Sequence, residues 1–110
     1  MHTLVNVSVQ TNEGVYYPED TMEITVDVVS EKNIGGAELR VYGLEKLGYY
    51  LFDRKKPVKL KIGVNRFELE YIIPSCSACS GLDAGAYDLI AEIEYVKRVI
   101  GVDNTSVEIR

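Results

Sequence analysis

Alternation with a period of two runs through this chain more persistently than any other pattern, and it restricts the backbone to strands with one buried and one wet face. Met22, Ile24, Val26 and Val28 alternate with Glu23, Thr25 and Asp27 in the cleanest run. Val5, Val7 and Val9 alternate with Asn6, Ser8 and Gln10 before it. After it come Leu39 and Val41, then Val58, Leu60 and Ile62 interleaved with Lys59 and Lys61. Phe67, Leu69, Tyr71 and Ile73 share one face of a further run, as do Tyr87, Leu89, Ala91, Ile93 and Tyr95, and Val107 with Ile109 closes the chain.

Turn-forming residues separate these runs: Asn12-Glu13-Gly14, residues 33–36, Gly63-Val64-Asn65, residues 80–85 and Asp103-Asn104. β-Branched residues and tyrosine fill the runs, which disfavours helix. Only residues 43–52 have room for a helical turn, and they read as a loop or a short strand. Half-buried sheets must pack face to face, so about seven short strands in this length point to an all-β sandwich or barrel. With 110 residues the chain has the size of one domain and buries roughly 65% of its unfolded surface. The expectation is a single domain over residues 1–110, excised from a larger protein.

Leu82-Asp83-Ala84-Gly85-Ala86-Tyr87 leads into the longest alternating run. A Leu-x-x-Gly-x-Tyr entry resembles the tyrosine corner of Greek-key sandwiches, in which the ring packs inward and the hydroxyl bonds backbone a few residues upstream. Leu82, Gly85 and Tyr87 are the structural residues this implies. Tyr17-Pro18-Glu19-Asp20-Thr21 followed by Ile24-Thr25-Val26, the Gly63-Val64-Asn65 turn, and Gly85-Ala86-Tyr87-Asp88-Leu89-Ile90-Ala91 together resemble the cell-adhesion-related domain of bacteria and archaea (CARDB), a fibronectin-type-III-like module. That resemblance spans about residues 5–110 and implies an immunoglobulin-like β-sandwich of about seven strands from a cell-surface or secreted protein.

Cys76-Ser77-Ala78-Cys79 is the one reactive-looking constellation. A thioredoxin-type pair needs its first cysteine at a helix N-terminus, and here a strand precedes it. Structural zinc needs four ligands, whereas the chain offers two cysteines and one distant histidine, His2. A local disulfide between Cys76 and Cys79, or a pair of inert thiols shaping a loop, is the reading that remains, and an oxidised pair implies an extracellular setting. A terminal His2 supports no nucleophile-base pair. No catalytic residue, cofactor or metal site is therefore expected, and acids at Glu19, Asp20, Asp83, Asp88 and Asp103 read as solvated surface rather than a calcium loop.

A formal net charge of -5 opposes attraction to phosphate backbones, which excludes nucleic acid as a natural partner. No apolar run approaches the ~20 residues of a membrane span, and Met1-His2-Thr3 starts no signal-like leader. Residues 54–61 hold five of the twelve basic residues and Pro57, the composition of a guarded sheet edge. Tyr16, Tyr17, Tyr49 and Tyr50 are expected in loops, as ligand contacts or as covers of the sandwich ends. Asn6-Val7-Ser8 and Asn104-Thr105-Ser106 match the glycosylation sequon.

The expected function is a non-catalytic interaction or spacer module, monomeric when isolated. Its partners are neighbouring domains of the parent or another surface protein. Two alternatives stand beside it: a small carbohydrate- or calcium-binding domain, and thiol-disulfide exchange through Cys76 and Cys79.

Overall fold

The cleanest alternating run forms the most sealed strand. Met22, Ile24, Val26 and Val28 are at most 1% exposed within a ten-residue strand, β3 (Thr21–Ser30). The structure is a computed structural model that describes residues 5–74 and 83–110. The other described strands are β1 (Val5–Thr11), β2 (Val15–Tyr16), β4 (Ile34–Lys46), β5 (Tyr49–Leu60), β6 (Gly63–Ile72), β7 (Gly85–Tyr95) and β8 (Arg98–Ile109). They form a two-sheet sandwich, with β1-β3-β6 facing β2-β8-β7-β4-β5. All pairings are antiparallel except the short β2–β8 contact.

The core lies between the sheets. The inner face of β3 meets Leu39 and Val41 of β4, Leu89, Ala91 and Ile93 of β7, and Val107 and Ile109 of β8 in one apolar cluster. Strands switch sheets repeatedly along the chain, and side-chain amides and backbone pin these crossovers. Between β5 and β6 the Asn65 carboxamide accepts the Lys61 N–H at 2.9 Å and donates to the Val28 carbonyl at 3.1 Å. Before β3, the Glu19 N–H donates to the Ile73 carbonyl and the Ile73 N–H to the Asp20 carbonyl, both at 2.9 Å.

Three expectations are corrected. Residues 43–52 are neither loop nor short strand: they end β4 and begin β5, joined by a tight turn at Leu47 and Gly48 with φ of 53° and 83°. Asp103-Asn104 is not a turn but lies inside β8, and the chain reverses instead at Val96-Lys97, with φ of 51° and 60°. Left-handed turns of this kind are signalled by Asn-Gly or Asp-Gly, so Leu and Val at their first central position left no trace in the turn pattern. Ile62 leaves the core face of its run, 68% exposed, because β5 has already ended.

Gly43 marks a second constraint on β4. A Cβ at this position would collide with the Asp88 carbonyl oxygen and the Leu89 Cα of β7, so the two central strands approach more closely than a side chain allows. Gly43→Ala is expected to lower unfolding free energy by about 1–3 kcal/mol. Gly14→Ala, where a Cβ meets nothing within 4 Å, is expected to change it by less than about 0.5 kcal/mol. Urea denaturation of the two variants checks the contrast.

Candidate functional site

Tyr87 stands at the entry to β7 with its ring half-buried against the core. Its hydroxyl donates to the Asp83 carbonyl at 2.7 Å, four residues upstream. Burial, then the Asp83 charge, pushes the phenol above its ordinary pKa. Gly85 precedes it at φ 150°. Leu82, Cys76 and Cys79 lie outside the described residues. The Tyr87 hydroxyl bond ties the start of β7 to the segment that enters it.

The four tyrosines expected in loops take separate places. Tyr16 departs from the expectation of ligand contact: it lies in β2, is 1% exposed, and its hydroxyl donates to Asn12 Oδ1 at 2.6 Å while accepting the Glu13 N–H at 2.9 Å. Every polar atom of its side chain is spent on the turn it anchors. Tyr17 is exposed beside that turn, its N–H donating to the Asp20 carboxylate at 2.9 Å. Tyr49 and Tyr50 begin β5 rather than occupying a loop, and both are exposed.

Tyr50 joins a constellation on the outer face of the five-stranded sheet. Its ring meets Tyr42 edge-on at 4.9 Å. Tyr42 and Arg40 alternate with the buried Leu39 and Val41, so both project from the outer face of the five-stranded sheet. Pairing register sets Arg40 opposite Glu92 of β7 and Tyr42 opposite Asp53 of β5. The Arg40 guanidinium grips Asp53 with two hydrogen bonds, 3.0 and 2.9 Å, lies 4.0 Å over the Tyr42 ring, and approaches Glu92 at 4.0 Å. The Tyr42 hydroxyl donates to Glu92 Oε2 at 3.4 Å.

This face combines two aromatic rings with charges that hold them in place. A bidentate arginine fixes both its own plane and the carboxylate, and its stacking on Tyr42 restrains the ring. The Arg40 hydrogen bonds hold Asp53 below the usual carboxylate range and raise Arg40 further. Burial raises Tyr42, and the Glu92 charge raises it more. None of Arg40, Tyr42, Asp53 and Glu92 stands out in the sequence. Arg40-x-Tyr42 marks two residues on one face, but partners fifty residues away become visible only through register.

The acids of the sequence reading are dispersed. The Asp20 carboxylate caps Tyr17, that of Asp103 accepts the Val9 N–H at 2.9 Å, and Asp83 faces Lys46 at 3.8 Å. Among the described residues no group of three or more His, Cys, Asp or Glu is placed to hold a metal ion.

The two-sheet topology is shared with solved structures. The CARDB domain of a Pyrococcus furiosus protein, determined by NMR, superposes with a TM-score of 0.69 over 96% of this chain and 94% of that one, at 16% identity. The fold is CARDB-like. A crystal structure of the same CARDB domain in complex with di-metal ions gives 0.64, over 96% and 91% of the two chains, also at 16% identity. A Paenibacillus cycloisomaltooligosaccharide glucanotransferase complexed with cycloisomaltoheptaose matches at 0.64 and 20% identity, over 92% of this chain but 13% of the enzyme. No family model and no curated protein sequence matches the chain. At these identities the CARDB likeness is one of fold.

The Arg40–Asp53 pair makes a pH-dependent contribution to this CARDB-like sandwich. Asp53 titrates lower folded than unfolded, so the contribution is complete above the unfolded value of about 3.9 and is lost as the pH falls through the depressed folded value. Asp53→Asn is expected to cost roughly 0.5 kcal/mol at neutral pH, the scale of an exposed pair. The gap from wild type should close steadily below about pH 4. Denaturant midpoints across that range measure it; a gap that does not change with pH would mean the pair is not an ionic contributor.

Proposed function

We propose that this chain is a non-catalytic interaction module of a larger secreted or cell-surface protein, and that the outer face around Arg40, Tyr42 and Tyr50 is its contact surface. The observation that carries the reading is the pre-organised aromatic pair, flanked by a bidentate Arg40–Asp53 bond and by Glu92. Tyrosine and arginine held rigidly on a sheet lose little side-chain entropy when a partner docks, and they dominate binding energy where they occur in contact surfaces.

The same constellation is poorly suited to proton transfer. Arg40 and Asp53 are each held in their charged forms by the other, and a group that resists changing charge near neutral pH is a weak general acid or base. Modular use is supported by the breadth of the structural likeness: the same sandwich accounts for almost all of an isolated CARDB domain and for a small part of a multidomain enzyme. The partners proposed are the adjoining domains of the parent or another surface protein.

A glycan is the second reading for the same face, because paired tyrosine rings beside arginine and carboxylates offer both stacking and hydrogen bonding to sugar. The two readings separate in one experiment. Amide chemical shifts are followed while the labelled chain is titrated with the parent's neighbouring domains and, separately, with soluble oligosaccharides. The proposal expects saturable shifts centred on Arg40, Tyr42, Tyr50 and Glu92 with a protein partner. A Tyr42→Ala/Tyr50→Ala variant should bind roughly thirtyfold more weakly. Saturation by oligosaccharide alone favours the glycan, and shifts that avoid this face contradict both.

A further inference from the structure

β6 is a long sheet edge without a guard. Its ladder partner among the described residues is β3 alone, and that pairing runs without a bulge from Gly63 to Ile72. Every second residue of an edge strand turns its N–H and C=O away from the ladder, which makes the edge a template for another strand unless lysine, proline or a bulge spoils it. β5 is spoiled in this way by Lys55, Lys56, Pro57 and Lys59, and by a register shift against β4 between Ile34 and Ala37. The edge of β1 is engaged at Val9, whose N–H donates to the Asp103 carboxylate of β8 at 2.9 Å. Residues 63–72 contain neither lysine nor proline.

The inner side of this edge is unfinished. Phe67, Leu69 and Tyr71 pair directly opposite Val26, Ile24 and Met22 of β3, and residues directly opposite share a face. Those three β3 side chains are at most 1% exposed, whereas Phe67, Leu69 and Tyr71 are only partly buried. Among the described residues no strand flanks them on the far side of β6. β5 of the facing sheet turns cations toward the same place. Arg54 and Lys56 pair opposite the buried Val41 and Leu39, and the Lys56 ammonium lies 5.3 Å over the Phe67 ring. Lys55, pointing outward between them, has Glu38 at 3.9 Å; among the described residues neither Arg54 nor Lys56 has a carboxylate within ion-pair reach. The outer side of β6 has the opposite character: Glu68 and Glu70 are exposed there, and Arg66 is held by Asp27 at 2.9 Å.

We infer that β6 takes up an extended segment of a partner protein as a fourth strand of the smaller sheet, with carboxylates and aliphatic side chains on the segment's inward face and uncharged ones on its outward face. The backbone ladder supplies the affinity, and the charge pattern selects the segment. An inward carboxylate meets Arg54 and Lys56, and inward aliphatic groups cover the open sides of Phe67, Leu69 and Tyr71. An outward carboxylate would stand beside Glu68 and Glu70, where like charges repel. A second copy of β6 is a poor occupant: its inward face, Asn65, Phe67, Leu69 and Tyr71, brings no carboxylate, and a two-fold pairing would draw the two basic β5 strands toward each other. The edge belongs to the smaller sheet, whereas Arg40, Tyr42 and Tyr50 lie on the larger one, so the inference does not rest on the proposed contact surface.

The test titrates the labelled chain with a capped peptide in which threonine alternates with glutamate and valine, read by amide shifts and hydrogen exchange. Two comparators share its length: one with lysine in place of glutamate, and one N-methylated along a single edge so that it cannot extend a ladder. The glutamate peptide is expected to shift amides across residues 63–72 saturably and to slow exchange of those that point away from β3. The lysine peptide should bind roughly tenfold more weakly, and the methylated one should not saturate. An Arg54→Gln/Lys56→Gln variant is expected to keep its melting temperature and lose roughly tenfold in affinity for the glutamate peptide. Equal binding of the glutamate and lysine peptides, saturation by the methylated one, or shifts centred away from β6 would each overturn the inference. So would a folded variant of unchanged affinity, or a peptide-free chain that dimerises through β6, which would assign the edge to a second copy. If the variant fails to fold, the three peptides on the wild-type chain decide alone.

Discussion

Apolar packing between two sheet faces is the interaction on which the rest of this molecule depends. Met22, Ile24, Val26 and Val28 on one side meet Leu39, Val41, Leu89, Ala91 and Ile93 on the other, all at most 1% exposed. Each such Val, Leu, Ile or Met side chain contributes about 1.5–3 kcal/mol relative to exposure, so this contact outweighs any single ion pair on the surface. It also fixes register. A slip of one residue would turn Glu23, Thr25 and Asp27 into the core and β3's apolar face into water.

Once β3, β4 and β7 are held, the outer face of β4 follows from the pleat. Leu39 and Val41 point in, so Arg40 and Tyr42 must point out, and the ladders deliver Glu92 and Asp53 to their sides. The same geometry leaves the periphery less determined. β5 has a partner on one side only, and it meets β6 of the facing sheet through the Phe52–Tyr71 ring contact and the Lys56 ammonium over the Phe67 ring. The aromatic outer face thus lies on strands positioned by the central packing and is not needed for it.

Much of this was legible in the residues. Period-two alternation gave the inner faces of β1, β3, β6 and β7 directly, and the run of lysines with Pro57 marked β5 as an edge, which the sheet order shows it to be. The CARDB-like fold was readable from short motifs around Tyr17, Asn65 and Tyr87, and the structure adds the reason for two of them: Asn65 pins a crossover and the Tyr87 hydroxyl ties β7 to its entry loop. What stayed hidden was long-range or atypical. Leu47 and Val96 open left-handed turns at a position where Asn or Asp is the usual signal. Tyr16 looked like a loop aromatic because the two-residue β2 is too short to alternate. Arg54 and Lys56 read as edge protection because nothing local distinguishes an inward lysine from an outward one.

Native-state amide hydrogen exchange tests the central claim most directly, since it reads local opening strand by strand. If the β3 face packed on β4 and β7 holds the fold, amides of Val26, Val28, Leu39, Val41, Leu89 and Ala91 should exchange slowest, through global unfolding, while the exposed middle of β5 opens locally and faster. Rapid exchange in β3, with protection persisting in the β4–β5 hairpin, would contradict the account and place the stabilising contact within one sheet instead of between two.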